Sequence, residues 1–122
     1  MPSYVAQVIE TIQDAGVTLA GISPPSVPAT VPTTFPFVTV TQIFSKEHEH
    51  LGGLSGLIRV IIQVNTHDKQ YERAWTTREA IKTALFAAFG TRINHNQDNE
   101  VFNPSNSTHQ LVVRLFIWFE KP

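Results

Sequence analysis

A run of β-branched and aliphatic residues at 57–66 passes almost directly into a long helical pattern at 68–89, and this junction constrains the fold more than any other stretch. A strand feeding straight into a helix of that length needs a partner strand on the far side. Residues 111–119 supply one. The helix carries Tyr71, Ala74, Trp75, Arg78, Ile81, Leu85, Phe86 and Phe89 at spacings of three and four, which predicts an apolar stripe laid against a sheet. A further strand is expected at 37–45. A short amphipathic helix is expected at 4–15, with Ser3 as its cap, Val5, Val8, Ile9 and Ile12 as its buried stripe and Gly16 as its stop. The predicted fold class is α+β, a small mixed, mainly antiparallel sheet with two helices mostly on one face, in the order α-β-β-α-β.

The length of 122 residues fits a single domain, 1–122, able to build one core without metal or disulfide support. A formal net charge of −1 and the absence of any basic block remove the electrostatic footprint of a protein that grips nucleic acid by its phosphates. There is no cysteine, which excludes thiol catalysis, disulfides and cysteine zinc sites. No apolar run approaches the roughly 20 residues of a membrane span, and Met1-Pro2-Ser3-Tyr4 lacks the basic-then-apolar pattern of a secretory signal. The expectation is a soluble protein, made in a cytoplasm, with no membrane partner.

Between the elements lie three distinctive connections. Residues 17–36 hold Pro24, Pro25, Pro28, Pro32 and Pro36, a density that blocks helix and sheet interiors and predicts an extended linker crossing a surface. Residues 46–56 read as the loop of an antiparallel hairpin, with Gly52, Gly53 and Gly56 giving freedom of φ. Leu51 and Leu54 in that loop either fold back on the hairpin or meet another chain. The polar stretch 91–110, rich in asparagine, reads as a long loop with a short extended piece at 100–102.

Candidates for chemistry are few. His48 and His50 would point to one side of an extended segment, but a stable metal site needs a third or fourth ligand, and His67, His95 and His109 stand at no spacing that implies convergence. No nucleophile elbow, glycine-rich phosphate loop or paired-carboxylate motif is present. Asp68 reads as the N-cap of the long helix or as a charge favourable to its dipole. The expectation is therefore no catalytic residue, no metal and no cofactor.

The final strand carries the strongest functional signal. Alternation places Leu111, Val113, Leu115, Ile117 and Phe119 on one face and Val112, Arg114, Phe116 and Trp118 on the other, so both faces are apolar. Two helices can cover one face of a small sheet. The second face is then open to a neighbouring subunit, or to the proline-bearing linker of the same chain. Leu51, Leu54, Phe116 and Trp118 are the candidate interface residues. Arg59 and Arg114, both within strands, are expected to lay their stems over apolar surface and keep the guanidinium in water rather than to bind DNA.

The order of elements resembles a known family. A short N-terminal helix, a proline-bearing connection into Pro36-Phe37-Val38-Thr39-Val40, and a hairpin come first. Val60-Ile61-Ile62-Gln63-Val64 then leads to the Tyr71-Glu72-Arg73-Ala74 helix, followed by an asparagine-rich loop and a final aromatic strand. This layout is similar to the tail terminator, or tail completion, proteins of long-tailed bacteriophages, with a longer linker and a tryptophan in the last strand as departures. The resemblance implies a structural virion protein, not an enzyme. It would assemble in the host cytoplasm as a homohexameric ring that caps the tail tube and joins the tail to the head. Its implied partners are the tail tube protein and a head-completion or connector protein, with DNA passing through the lumen without specific binding. The alternative from another class is a small α+β ligand-binding or regulatory module that dimerises through its sheet; ring and dimer differ in whether the interface is head-to-tail or self-complementary.

Overall fold

In the computed structural model, which describes residues 4–17, 21–23, 36–48, 57–104 and 107–120, the predicted strand-to-helix junction is the centre of an α+β fold. The helix α1 spans Tyr4–Asp14, the strands β1, β2 and β3 span Gly21–Ser23, Phe37–His48 and Leu57–Asp68, and the long helix α2 spans Tyr71–Phe89. A single 3-10 turn, Gly90–Arg92, leads into β4, Ile93–Asn103, and β5, Thr108–Glu120. The five strands form one sheet in the order β1-β2-β3-β5-β4. Only the short β1–β2 pair is parallel; the other three pairings are antiparallel.

Both helices lie on one face of that sheet. Val38 and Val40 of β2, Val60, Ile62 and Val64 of β3, and Val113, Leu115, Ile117 and Phe119 of β5 meet Val8 and Ile12 of α1 and Ile81 and Leu85 of α2 in one buried cluster. The period-two alternation read from the sequence is the reason: each of these strands turns every second side chain to the helices. Phe119 closes one end, its ring 4.8 Å from Tyr4 and 5.5 Å from Phe89. Gly16 and Gly90 end the two helices at positive φ, 74° and 59°, where a side chain would be strained.

The buried stripe of α2 differs from the predicted one. Ala74, Thr77, Arg78, Ile81 and Leu85 are buried, whereas Tyr71 and Trp75 are 40% and 46% exposed. Trp75 follows Ala74 by one residue, about 100° round the helix, and so clears the sheet. Spacings of three and four fit two overlapping stripes, and packing selected the one with the smaller residues at its N-terminal end.

The junction itself also differs in detail. Asp68 is the last residue of β3 rather than the helix cap, and Gln70 takes the cap position without a side-chain hydrogen bond. Asp68 works from two residues further back: its carboxylate accepts the Gln70 N–H at 2.9 Å and both Nε and Nη2 of Arg73, at 2.5 and 2.7 Å. That arrangement ties the first turn of α2 to the end of the strand.

The largest correction concerns 91–110, expected as a loop, of which Ile93–Asn103 is an eleven-residue edge strand paired along β5. A bulge between His95 and Gln97 breaks its alternation, so that Ile93 and His95 before it, and Asp98, Glu100 and Phe102 after it, share the helix-facing side. Ile93, before the bulge, joins the buried cluster, whereas Asp98 and Glu100, after it, meet the charged flank of α2, which is why that part of the strand is polar. Lys82 reaches Asp98 at 3.3 Å, and Arg78 and the Tyr71 hydroxyl reach Glu100. Strand β1 likewise lies inside the expected linker, where three residues free of proline pair with the start of β2.

Leu85→Ala should cost about 2–5 kcal/mol of stability by leaving a cavity in the cluster, whereas Trp75→Ala, on the outside of the same helix, should fall within about 0.5 kcal/mol of wild type. Urea unfolding of the two variants side by side checks the assignment of the stripe.

Candidate functional site

With both helices on one side, the other face of the sheet is met by no helix or strand among the described residues. Its side chains follow from the β3–β5 register, which sets Arg59 opposite Trp118, Ile61 opposite Phe116, Gln63 opposite Arg114, Asn65 opposite Val112 and His67 opposite Gln110. The predicted interface residues Phe116 and Trp118 are thus brought together here, partly exposed, on the side away from the helices. Leu51 and Leu54 lie outside the described residues, as does most of the hairpin loop that holds them.

The face is graded along its strands. At one end Ile61, Phe116 and Trp118 surround Arg59, whose guanidinium carbon lies 5.0 Å from the centre of the Phe116 ring. Stacking of this kind holds the cation over apolar surface. Arg59 Nε is buried and finds no hydrogen-bond partner among the described residues. At the other end the face is polar: Arg114 Nε donates to Gln63 Oε1 at 2.8 Å, and Gln63 Nε2 donates to Asn65 Oδ1 at 3.0 Å. Gln97, Asn99, Val112 and Arg114 line a small depression beside this chain of hydrogen bonds. Neither strand arginine matches the expectation in full: the Arg59 guanidinium stacks on Phe116 with its Nε buried rather than in water, and Arg114 is held by the side-chain amide of Gln63.

Sequence alternation identified Phe116 and Trp118 but not their company. Ile61 and Arg59 could have been found by assuming the antiparallel β3–β5 pairing and its register, and the apolar end of the face is therefore a property of two strands, not one.

The described histidine side chains, His67, His95 and His109, do not converge. His67 sits on the helix-free face with its ring 6.4 Å from that of Phe37, and burial lowers its pKa below the ordinary value. His95 contacts Asp98 across the bulge at 2.9 Å, and His109 lies between the rings of Tyr71 and Phe102. Among the described residues no three His, Asp or Glu side chains are placed to hold a metal, and no helix is long and apolar enough to cross a membrane. The His48 and His50 side chains lie outside the described residues.

Two carboxylates are held in their charged form. Burial alone would raise the pKa of Asp68, but its hydrogen bonds to Arg73 and to the Gln70 N–H outweigh this and lower it. Asp98 is lowered in the same way, by His95 and Lys82 against its own burial. No family model matches the chain, and no curated protein matches it in sequence.

These shifts predict the acid limb of stability. All three groups have folded pKa values below their unfolded ones, so each contributes stability that is present above the unfolded pKa and lost as pH falls through the folded pKa. Stability should therefore decline first below about pH 6.5, through His67, and again below about pH 4, through Asp68 and Asp98. In urea titrations across pH 3–8, His67→Asn should remove the first decline and Asp68→Asn should flatten the second.

Proposed function

We propose that the protein is a structural ring subunit of the tail-terminator type, which caps the tail tube of a long-tailed bacteriophage and joins the tail to the head. The observation that carries this reading is the apolar end of the helix-free face, where Ile61, Phe116 and Trp118 gather around Arg59. Large aromatic side chains beside an arginine have the composition of an interface centre, and no helix of the described residues lies on this face of the sheet. The succession of N-terminal helix, hairpin, long helix and aromatic final strand, on which the family resemblance rests, supports the same reading.

In a ring the contact is head-to-tail, so the patch on one subunit meets a different surface on the next. Such a protein works by shape and stability and needs no reacting group. DNA passes through the lumen without specific contacts. Arg59 and Arg114 are poorly suited to hold phosphates, being engaged with Phe116 and Gln63. The subunit belongs at the head-proximal end of the virion tail, against the tail tube protein on one side and a head-completion or connector protein on the other.

The experiment is a mass measurement in solution, alone and with tail tubes, on wild type and Trp118→Ala. A hexamer, or a ring formed on the tubes, is expected for wild type. Trp118→Ala should weaken assembly, since an interface tryptophan often contributes about 2 kcal/mol or more, while leaving the unfolding of the isolated chain far less affected than the roughly 3–5 kcal/mol of a core tryptophan. A two-fold dimer lost in Trp118→Ala would instead favour a sheet-dimerising binding module.

A further inference from the structure

We propose that the outer flank of the first two turns of α2, together with the end of β4, docks a basic polypeptide segment that presents arginine or lysine beside an apolar side chain. Among the described residues five large hydrophobic side chains are well exposed, and Tyr71, Trp75 and Phe102 form one surface. The Tyr71 ring meets His109 edge-on at 5.5 Å, His109 meets Phe102 at 4.8 Å, and Trp75 stands one helical turn beyond Tyr71. Tyr71, Glu72, Trp75 and Thr76 line a shallow groove along the helix. An exposed tryptophan and tyrosine one turn apart add little to the fold and match the side chains that dominate binding surfaces.

Charge identifies the occupant. Glu72 lies in the groove and makes no ion pair or hydrogen bond among the described residues, while the cations nearest it in the helix are taken: Arg73 by Asp68, and Arg78 by Glu79 and Glu100. Glu100, at the β4 side of the surface, accepts the Tyr71 hydroxyl at 2.9 Å. Indole and phenol faces attract guanidinium and ammonium groups, and a carboxylate beside them adds a charge-assisted hydrogen bond. A purely apolar partner would bury Glu72 without compensation, and an acidic one would be repelled. The described arginines and lysines are already engaged, so a second copy of this chain would have to give up one of these contacts or use Lys46 or Lys121, whose side chains lie outside the described residues. The inference is independent of the ring reading, which uses the opposite face of the sheet.

The test is a titration of the full ¹⁵N-labelled chain with a capped heptapeptide, Gly-Leu-Arg-Ser-Arg-Leu-Gly, followed by amide shifts. Saturable shifts confined to 71–76 and the neighbourhood of Phe102 and His109 are expected. The same peptide with glutamine in place of arginine should bind about fivefold more weakly or worse, as should Trp75→Ala and Glu72→Gln with the original peptide. Far-UV circular dichroism confirms that the two variants remain folded. No saturable shift at these residues up to millimolar peptide, equal affinity for the glutamine peptide, or binding unchanged in Trp75→Ala would each overturn the proposal. So would concentration-dependent broadening of the same residues without peptide, which would assign the surface to a second copy.

Discussion

Burial of one face of the β3–β5 pair under α2 is the interaction on which the rest of the structure depends. Ile62 and Val64 from one strand and Leu115 and Ile117 from the other present a continuous aliphatic surface, and Ile81 and Leu85 close it from above. Such contact removes these aliphatic side chains, all fully buried, from water, the dominant favourable term in folding. Helix α1 and strand β2 then extend the same layer to one side, through Val8, Ile12, Val38 and Val40. Asp68, through Arg73 and the Gln70 N–H, ties the first turn of the helix to the end of the strand.

The two flanks of α2 solve different problems. One side is held by apolar packing; the other carries Arg78 and Lys82, whose charges meet Glu100 and Asp98 on β4. The cations of these pairs are buried or largely covered while their carboxylates remain partly open to water, and the pairs hold the edge strand against the helix. The bulge at His95 and Gln97 allows this by turning Asp98 and Glu100 toward the helix. It also blunts an edge that would otherwise be a template for unwanted pairing.

Among the described residues, the helix-free face and the outer flank of α2 differ in kind. The helix-free face has aromatic and aliphatic side chains around a stacked arginine at one end and an amide network at the other, which suits a broad contact with a neighbouring subunit. The flank of α2 is narrower, aromatic and acidic, which suits one or two basic side chains. Both depend on α2 covering only one face with only part of its circumference. Among the described residues both helices lie on the same face of the sheet, and neither covers the opposite one.

The sequence by itself determined what rests on local periodicity. Alternation in 57–66 and 111–119 and the three-and-four spacing between them dictated an α+β sheet with helices on one side, and placed Phe116 and Trp118 away from those helices, because such patterns report which side chains share a face. It did not determine β4, whose alternation is interrupted by a bulge and whose asparagines read as loop until Asp98 and Glu100 are seen against Lys82 and Arg78. Nor could it decide between the two possible stripes of α2, since Tyr71 and Trp75 satisfy the helical spacing as well as Ala74 and Thr77 do. That choice was made by the sheet, which accepts small residues where the helix comes close and leaves the large aromatic rings outside. The company of Arg59, Ile61 and Phe116 likewise came only from strand register, a relation between residues more than fifty positions apart that no local pattern encodes.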